Sequence, residues 1–435
     1  MHSEKSPAAG FAATAPALLL LAGAVAAGRV SSEVFAVVQE AAKAELRLSD
    51  LELSLVQGVA AAIPLAAMSL PIGLMIDRLN RLRLLLCLGL AWTAGLFLAG
   101  LANGVTMLFM AKMLSSLGAN CSIAVVISMA ADLCAPSKRG AAMLVLTLGK
   151  WAGTAAAFAL GGWLLGALAG SAVPFRLGGL SPWRGVHLVL AMMSTFVVML
   201  LLLFLREPAR QETVRAGRTS AKDVFRELWA RRSFLLPLFV GQVSVAMVDT
   251  AAGIWAAPIL SRSYGLQPHQ FAGPMGLVIF GAGVLGAVIG GVAADAGHKS
   301  ARRGGILIGA VVAAIVSVPA ALFPLAGSSA LFFLLLFLFL LCGTIAGLVV
   351  SAALATLLPN ELRGFSLGLF IAIAGVIGFG IAPLFITIVS GWLGGESELG
   401  LALAAVGAGV SLFAALVFPF ALRNAPLNAL DKPIR

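Results

Sequence analysis

Read as a string of apolar and polar positions, the chain is a series of long apolar runs separated by short polar breaks. Twelve runs can be drawn, over residues 12–43, 51–76, 82–102, 105–133, 140–169, 184–205, 233–263, 271–294, 304–326, 329–357, 364–392 and 398–422. Each is long enough for the roughly 20 apolar residues that a helix needs to cross a bilayer. The pattern predicts an all-α membrane protein of twelve transmembrane helices. One long polar stretch, 206–232, interrupts the series and leaves six runs on each side. The expected organisation is therefore an N-terminal six-helix half over 1–205, a linker over 206–232 and a C-terminal six-helix half over 233–435. The second part of the linker, Thr219 to Arg232, reads either as an amphipathic surface helix or as solvated chain.

Composition changes the picture only by excluding alternatives. Hydrophobic residues make up 60% of the chain and charged residues 11%, with a mean hydropathy of +1.04. Soluble domains carry about a quarter charged residues. The polar start, Met1 to Gly10, and an apolar run reaching Val38 do not fit a cleavable signal peptide. Cys87, Cys121, Cys134 and Cys342 all lie in apolar runs, with neither a disulfide framework nor metal-ligand spacing.

The net charge of +11 is a topology signal. With twelve spans both termini share one side, and that side holds 21 of the basic residues, including Lys5, Arg78, Arg81, Arg83, Lys138, Arg139, Lys299, Arg302, Arg303, Arg363, Arg423, Lys432 and Arg435. The other side holds Lys43, Arg47, Arg176, Arg184 and Arg262. By the positive-inside rule both termini are expected in the cytoplasm, in a bacterial inner membrane. Nucleic acid is not an expected partner.

The two halves carry matching landmarks. Gly73-x-x-x-Asp77 follows span 2 and Gly291-x-x-x-Asp295 follows span 8, offset by 218 residues. APSKRG (Ala135 to Gly140) joins spans 4 and 5, and LPNELRG (Leu358 to Gly364) joins spans 10 and 11, offset by 223. Near-equal offsets predict a duplicated six-helix unit with its binding site near the midplane, between the halves. Glycines in span 8 (Gly276, Gly281, Gly283, Gly286, Gly290, Gly291), and in spans 5 and 11, predict close helix packing.

The motif Gly73-x-x-x-Asp77-Arg78-x-x-Arg81-x-Arg83, with Arg139 beyond it, resembles the gating signature of the major facilitator superfamily. The resemblance implies a glycine at a tight helix contact and an aspartate that latches the halves when the inner side is closed. Several stretches resemble the spinster-like branch: LSDLELSLVQG (Leu48 to Gly58), MAADLCAPSKRGAAM (Met129 to Met143), LREPAR (Leu205 to Arg210) and WAAPILSRSYGL (Trp255 to Leu266). The chain departs from that branch at two places. Ser31 and Ser32 stand where it carries an aspartate–arginine pair, and Ala119 follows Gly118 where it carries a glutamate; its helix 4 arginine is Lys112 here.

Ionisable residues inside spans are costly and commonly face a partner or a wet cavity. Arg29, Glu33, Glu40 and Lys43 share one face of span 1, with Arg29 and Glu33 one turn apart. Lys150 should lie near the midplane, Lys112 about 10 Å from the outer end of its helix, and Asp249 in the outer half of span 7. The expected site is a polar chamber lined by Arg29, Glu33, Lys112, Lys150, Trp151, Asp249 and Trp255. Its alternative is internal ion pairing that fixes helix register, or for Lys112 snorkelling toward the surface. Gln39, Gln57, Asn120 and Gln242 are its polar company, and His187 is expected at the membrane interface.

Three bases against two acids suggest an anionic or zwitterionic solute, and a desolvated acid suits proton coupling. The leading expectation is a monomeric secondary transporter that moves a small organic anion or amphipathic solute by alternating access, coupled to protons. A lipid or amphiphile exporter, as the spinster resemblance implies, and a non-transporting membrane sensor are the alternatives. No nucleophile–base set, phosphate loop or metal-ligand cluster points to an enzyme, a cofactor or a bound metal.

Overall fold

The computed structural model describes residues 11–170, 179–210, 221–300, 302–358 and 372–426, with Leu362, Ser366 and Leu369. Among the described residues twelve helices are long and apolar enough to span a bilayer: α1 (Thr14–Leu46), α2 (Asp50–Met68), α3 (Arg81–Gly100), α4 (Val105–Leu133), α5 (Arg139–Ala169), α6 (Pro182–Phe204), α7 (Arg232–Ser263), α8 (Pro268–Lys299), α9 (Gly305–Leu325), α10 (Ser329–Leu357), α11 (Ala372–Leu393) and α12 (Glu396–Asn424). The chain is an integral membrane protein of two six-helix halves. Lys5, Arg176, Arg363, Lys432, Arg435 and most of the Leu358 to Gly364 landmark lie outside the described residues.

Helix ends follow local chemistry. Ser49 starts α2 with a capping box: its hydroxyl accepts from the Glu52 N–H, and the Glu52 carboxylate accepts from the Ser49 N–H at 2.8 Å. Beyond Met68 this helix runs on to Arg78. There Arg210 donates to the carbonyls of Ile76 (2.8 Å), Leu79 (2.9 Å) and Asp77, so a cation sits at the negative end of the helix dipole. α8 extends past the expected end, and Asp295 lies on helix rather than in a loop. His298 and Lys299 in its last turn offset the exposed carbonyls. The second part of the linker is a helix, Ala221–Ala230, anchored by buried Leu228.

The cores show how the halves meet. At the end that carries the linker, each half buries its own cluster, one around Trp92, Val125 and Met129 and the other around Leu238, Val349 and Phe418. At the opposite end a single cluster joins both, from Val34 to Val38 of α1 through Phe158 to Trp255 of α7 and Phe271 of α8. The halves are therefore packed together at the far end and separate toward the linker end.

Small residues permit the far-end closure. A Cβ on Gly162 would stand 2.8 Å from the Pro268 carbonyl, and one on Gly166 2.8 Å from the His269 Cβ. Gly58 similarly lies against α11, where a Cβ would be 2.6 Å from the Phe379 carbonyl. Both helices widen to i→i+5 bonding there, at Leu55–Val59 and Val376–Ile381. Gly73 behaves otherwise than expected. It is exposed, and among the described residues a Cβ there would meet open space. His187 also differs from expectation: it is buried between Phe35 and Trp183, with Nδ1 2.9 Å from the Trp183 carbonyl.

Candidate functional site

A cavity of about 310 Å³ lies between the halves, walled by α1, α2, α4 and α5 on one side and α7, α8, α10 and α11 on the other. The far-end core closes it above. Its N-terminal wall is polar and cationic; its C-terminal wall, with Met275, Ile279, Leu336 and Leu340, is largely apolar.

Arg29, Glu33, Lys112, Lys150, Trp151 and Asp249 all line this cavity. Arg29 pairs with Glu33 one helical turn away and donates to the Thr154 hydroxyl at 3.2 Å. Lys112 is buried and does not snorkel outward: its ammonium donates to the Ser32 carbonyl at 2.6 Å and the Gln57 side-chain oxygen at 2.9 Å. Lys150 points its ammonium over the Trp151 ring, 4.6 Å from the centroid. Among the described residues neither lysine has a carboxylate within salt-bridge distance. Glu33 is thus committed to Arg29, and the two lysines share the cavity with one further acid, Asp249 of the opposite wall.

Asp249 is the one acid on the opposite wall. Its Oδ1 is buried with no hydrogen-bond partner. A Cβ on Gly343 of α10 would lie 2.8 Å from that oxygen, so the glycine makes room for the carboxylate. Behind it a void of about 10 Å³, room for one water, is shared with Ser411, whose hydroxyl also lacks a partner.

Trp255 does not belong to the cavity wall. It is fully buried in the far-end core with an unpartnered indole N–H, since its position on α7 turns inward to the core. At the positions of the departures, Ser31 donates to the Trp92 carbonyl at 2.9 Å and Ala119 packs on Gly28. Of the polar company, Gln57 and Asn120 line the cavity, while Gln39 donates to the Ile254 carbonyl at 2.7 Å and ties α1 to α7.

Above the cavity an ionic clamp crosses between the halves. Arg262 of α7 holds Glu40 (2.7 Å) and Asp50 (2.6 Å) of the other half. Lys43 holds Asp50 at 2.6 Å and also pairs with Glu396, whose carboxylate accepts from the Asp50 N–H at 2.7 Å. Glu40 and Lys43 were visible as charges on one face of span 1. Asp50 and Glu396 do not stand out in the sequence, because each sits at a helix start, where an acid is ordinary.

At the linker end the expected gating residues divide. Arg81 is buried, paired with Asp132 and with Glu207 at 2.8 Å, and it donates to the Pro208 carbonyl at 2.8 Å. Arg139 donates to the Ala131 carbonyl at 3.2 Å. Arg78 and Asp77 are exposed. Among the described residues Gly73, Asp77 and Arg78 make no hydrogen bond or ion pair with the C-terminal half.

The sequence profile of the Major Facilitator Superfamily matches residues 19–383. Comparison with curated proteins gives no match. Among solved structures, a bacterial homologue of the human lysosomal transporter Spinster, inward-facing and unoccupied, aligns with TM-score 0.74 and 20% identity over 96% of this chain and 97% of its own. The same protein in an inward-facing, occupied conformation gives 0.72 and 20% over 95% of each. The nucleoside transporter NupG gives 0.68 and 11% over 92% of this chain and 99% of its own. A helical fold of two six-helix halves, an interfacial cavity and a profile match over most of the length agree: the chain belongs to the Major Facilitator Superfamily, as a transporter that resembles the spinster-like branch.

Proposed function

We propose that this protein is a proton-coupled secondary transporter of a small organic anion or anionic amphiphile. The observation that carries the reading is that Lys112 and Lys150 both line the cavity and, among the described residues, neither is paired with a carboxylate. A carboxylate or phosphate there replaces the water lost by the two ammonium groups with charge-assisted hydrogen bonds. The apolar wall opposite accommodates the rest of an amphipathic solute. Asp249 carries the proton: it is the acid on the C-terminal wall, and its unpartnered oxygen accepts a proton without breaking an ion pair.

Alternating access follows from the two ends. The halves, 1–205 and 233–435, rock about the cavity, joined through 206–232. In the present state the far end is clamped and the linker end is apart, so the cavity opens toward the linker end. The distribution of basic residues supports a cytoplasmic linker and cytoplasmic termini in a bacterial inner membrane. A single chain holds every group the cycle needs, which supports a monomer.

Proteoliposomes test the reading. With an imposed proton gradient, uptake of the anionic solute by Asp249→Asn protein is expected to lose its gradient dependence. Glu33→Gln protein is expected to release Arg29 and weaken uptake. Full gradient-driven uptake by both variants would overturn the coupling assignment. An absence of transport of any anion by the unaltered chain would favour a non-transporting sensor.

A further inference from the structure

A second, larger cavity lies on the outside of the C-terminal half, away from the central one. It measures about 560 Å³ and is a groove between α8 and α9 whose floor is α10. Ile289 and Ala293 form one wall, Val312 and Val316 the other, and Leu341 and Ile345 the floor. Ile289 and Val312 are 46% and 53% exposed, so the groove opens sideways toward lipid.

Two features select its occupant. From Ile289 to Ser300 the α8 wall runs roughly 16 Å at 1.5 Å per residue, about half of a 30 Å hydrocarbon core. The groove thus matches the acyl region of one leaflet. Its linker-end mouth carries Arg302, which is exposed and makes no ion pair among the described residues, with Lys299 close by in sequence. Arg303 beside it is engaged with the Ala425 carbonyl at 3.0 Å. An apolar channel one leaflet deep, ending at an unpaired guanidinium, is complementary to a lipid with an anionic headgroup.

We propose that this groove is a binding site for an anionic phospholipid of the linker-side leaflet, its acyl chain between α8 and α9 and its phosphate at Arg302. That this leaflet is the cytoplasmic one rests on the orientation proposed above; the site itself does not.

Native mass spectrometry on delipidated protein tests it, using phosphatidylglycerol and phosphatidylcholine with identical chains. The unaltered protein is expected to retain one phosphatidylglycerol more tightly than phosphatidylcholine. Arg302→Glu, at an exposed position, should lower phosphatidylglycerol affinity at least roughly five-fold, the effect of one basic side chain beside an anionic headgroup, and leave phosphatidylcholine unchanged. Ala293→Trp, which fills the groove, should lower both. Equal phosphatidylglycerol affinity in the unaltered and Arg302→Glu proteins would overturn the proposal. So would full competition by glycerol phosphate, which would mark a phosphate site without a lipid groove. The readout is binding, so loss of the transport reading leaves this result intact, and the reverse also holds.

Discussion

At the scale of single residues, the site is a set of charges whose partners are unequal. Glu33 and Arg29 satisfy each other, whereas Lys150 lies over the face of Trp151 and makes no ion pair among the described residues. Lys150→Ala is therefore expected to weaken anion binding by about tenfold or more, the loss of one charge-assisted bond in a shielded site; isothermal titration of the purified protein checks it. Asp249 depends on a glycine across the helix interface. Gly343→Val should displace the carboxylate, abolish gradient dependence as Asp249→Asn does, and cost about 1–3 kcal/mol through overpacking; thermal unfolding and liposome uptake read the two effects. The charges themselves were legible in the sequence, because an ionisable residue within an apolar run stands out. Their partners were not. Trp255 and Asp249 lie on the same helix six positions apart, and only packing decides that one meets the core and the other the cavity. His187 similarly looked interfacial by its depth, and neighbouring rings bury it.

At the scale of elements, the contacts between halves depend on small residues and on two widened helical turns. The turns in α2 and α11 face each other, where Gly58 meets Phe379. Such i→i+5 turns free backbone groups and often occur at functional sites. Gly58→Val is expected to push α2 and α11 apart, lower the unfolding midpoint and raise the accessibility of a cysteine placed at Gln57, measured by maleimide labelling. Helix number and most boundaries were readable, since span length and hydropathy are local properties. The extension of α8 past Asp295 was not, because a charged residue looked like a loop until the helix end was seen to be charge-compensated. The widened turns were equally hidden: nothing local in LVQGV or VIGFGI demands the extra residue.

At the scale of the whole molecule, the fold is two half-bundles sharing one core at the far end and keeping separate cores at the linker end. The repeat landmarks and the linker made the two-half architecture legible. The arrangement of the two ends was not, because under the proposed alternating access one sequence encodes two such arrangements. Here the clamp of Arg262, Glu40, Asp50, Lys43 and Glu396 favours far-end closure. Arg262→Ala should shift the population toward far-end opening by about tenfold, corresponding to about 1.4 kcal/mol. Distances between spin labels on the far ends of α1 and α7 would lengthen. An unchanged distribution would show that the shared apolar core alone holds that end.

In the proposed function the cavity between the halves takes an anion through Lys150. The most direct measurement is a thermal-shift screen of carboxylates, phosphates, anionic amphiphiles and organic cations on the unaltered and Lys150→Ala proteins. An anionic ligand is expected to stabilise the unaltered protein, and the variant is expected to lose this stabilisation. Stabilisation by cations alone, or an anionic hit that survives intact in Lys150→Ala, would contradict it.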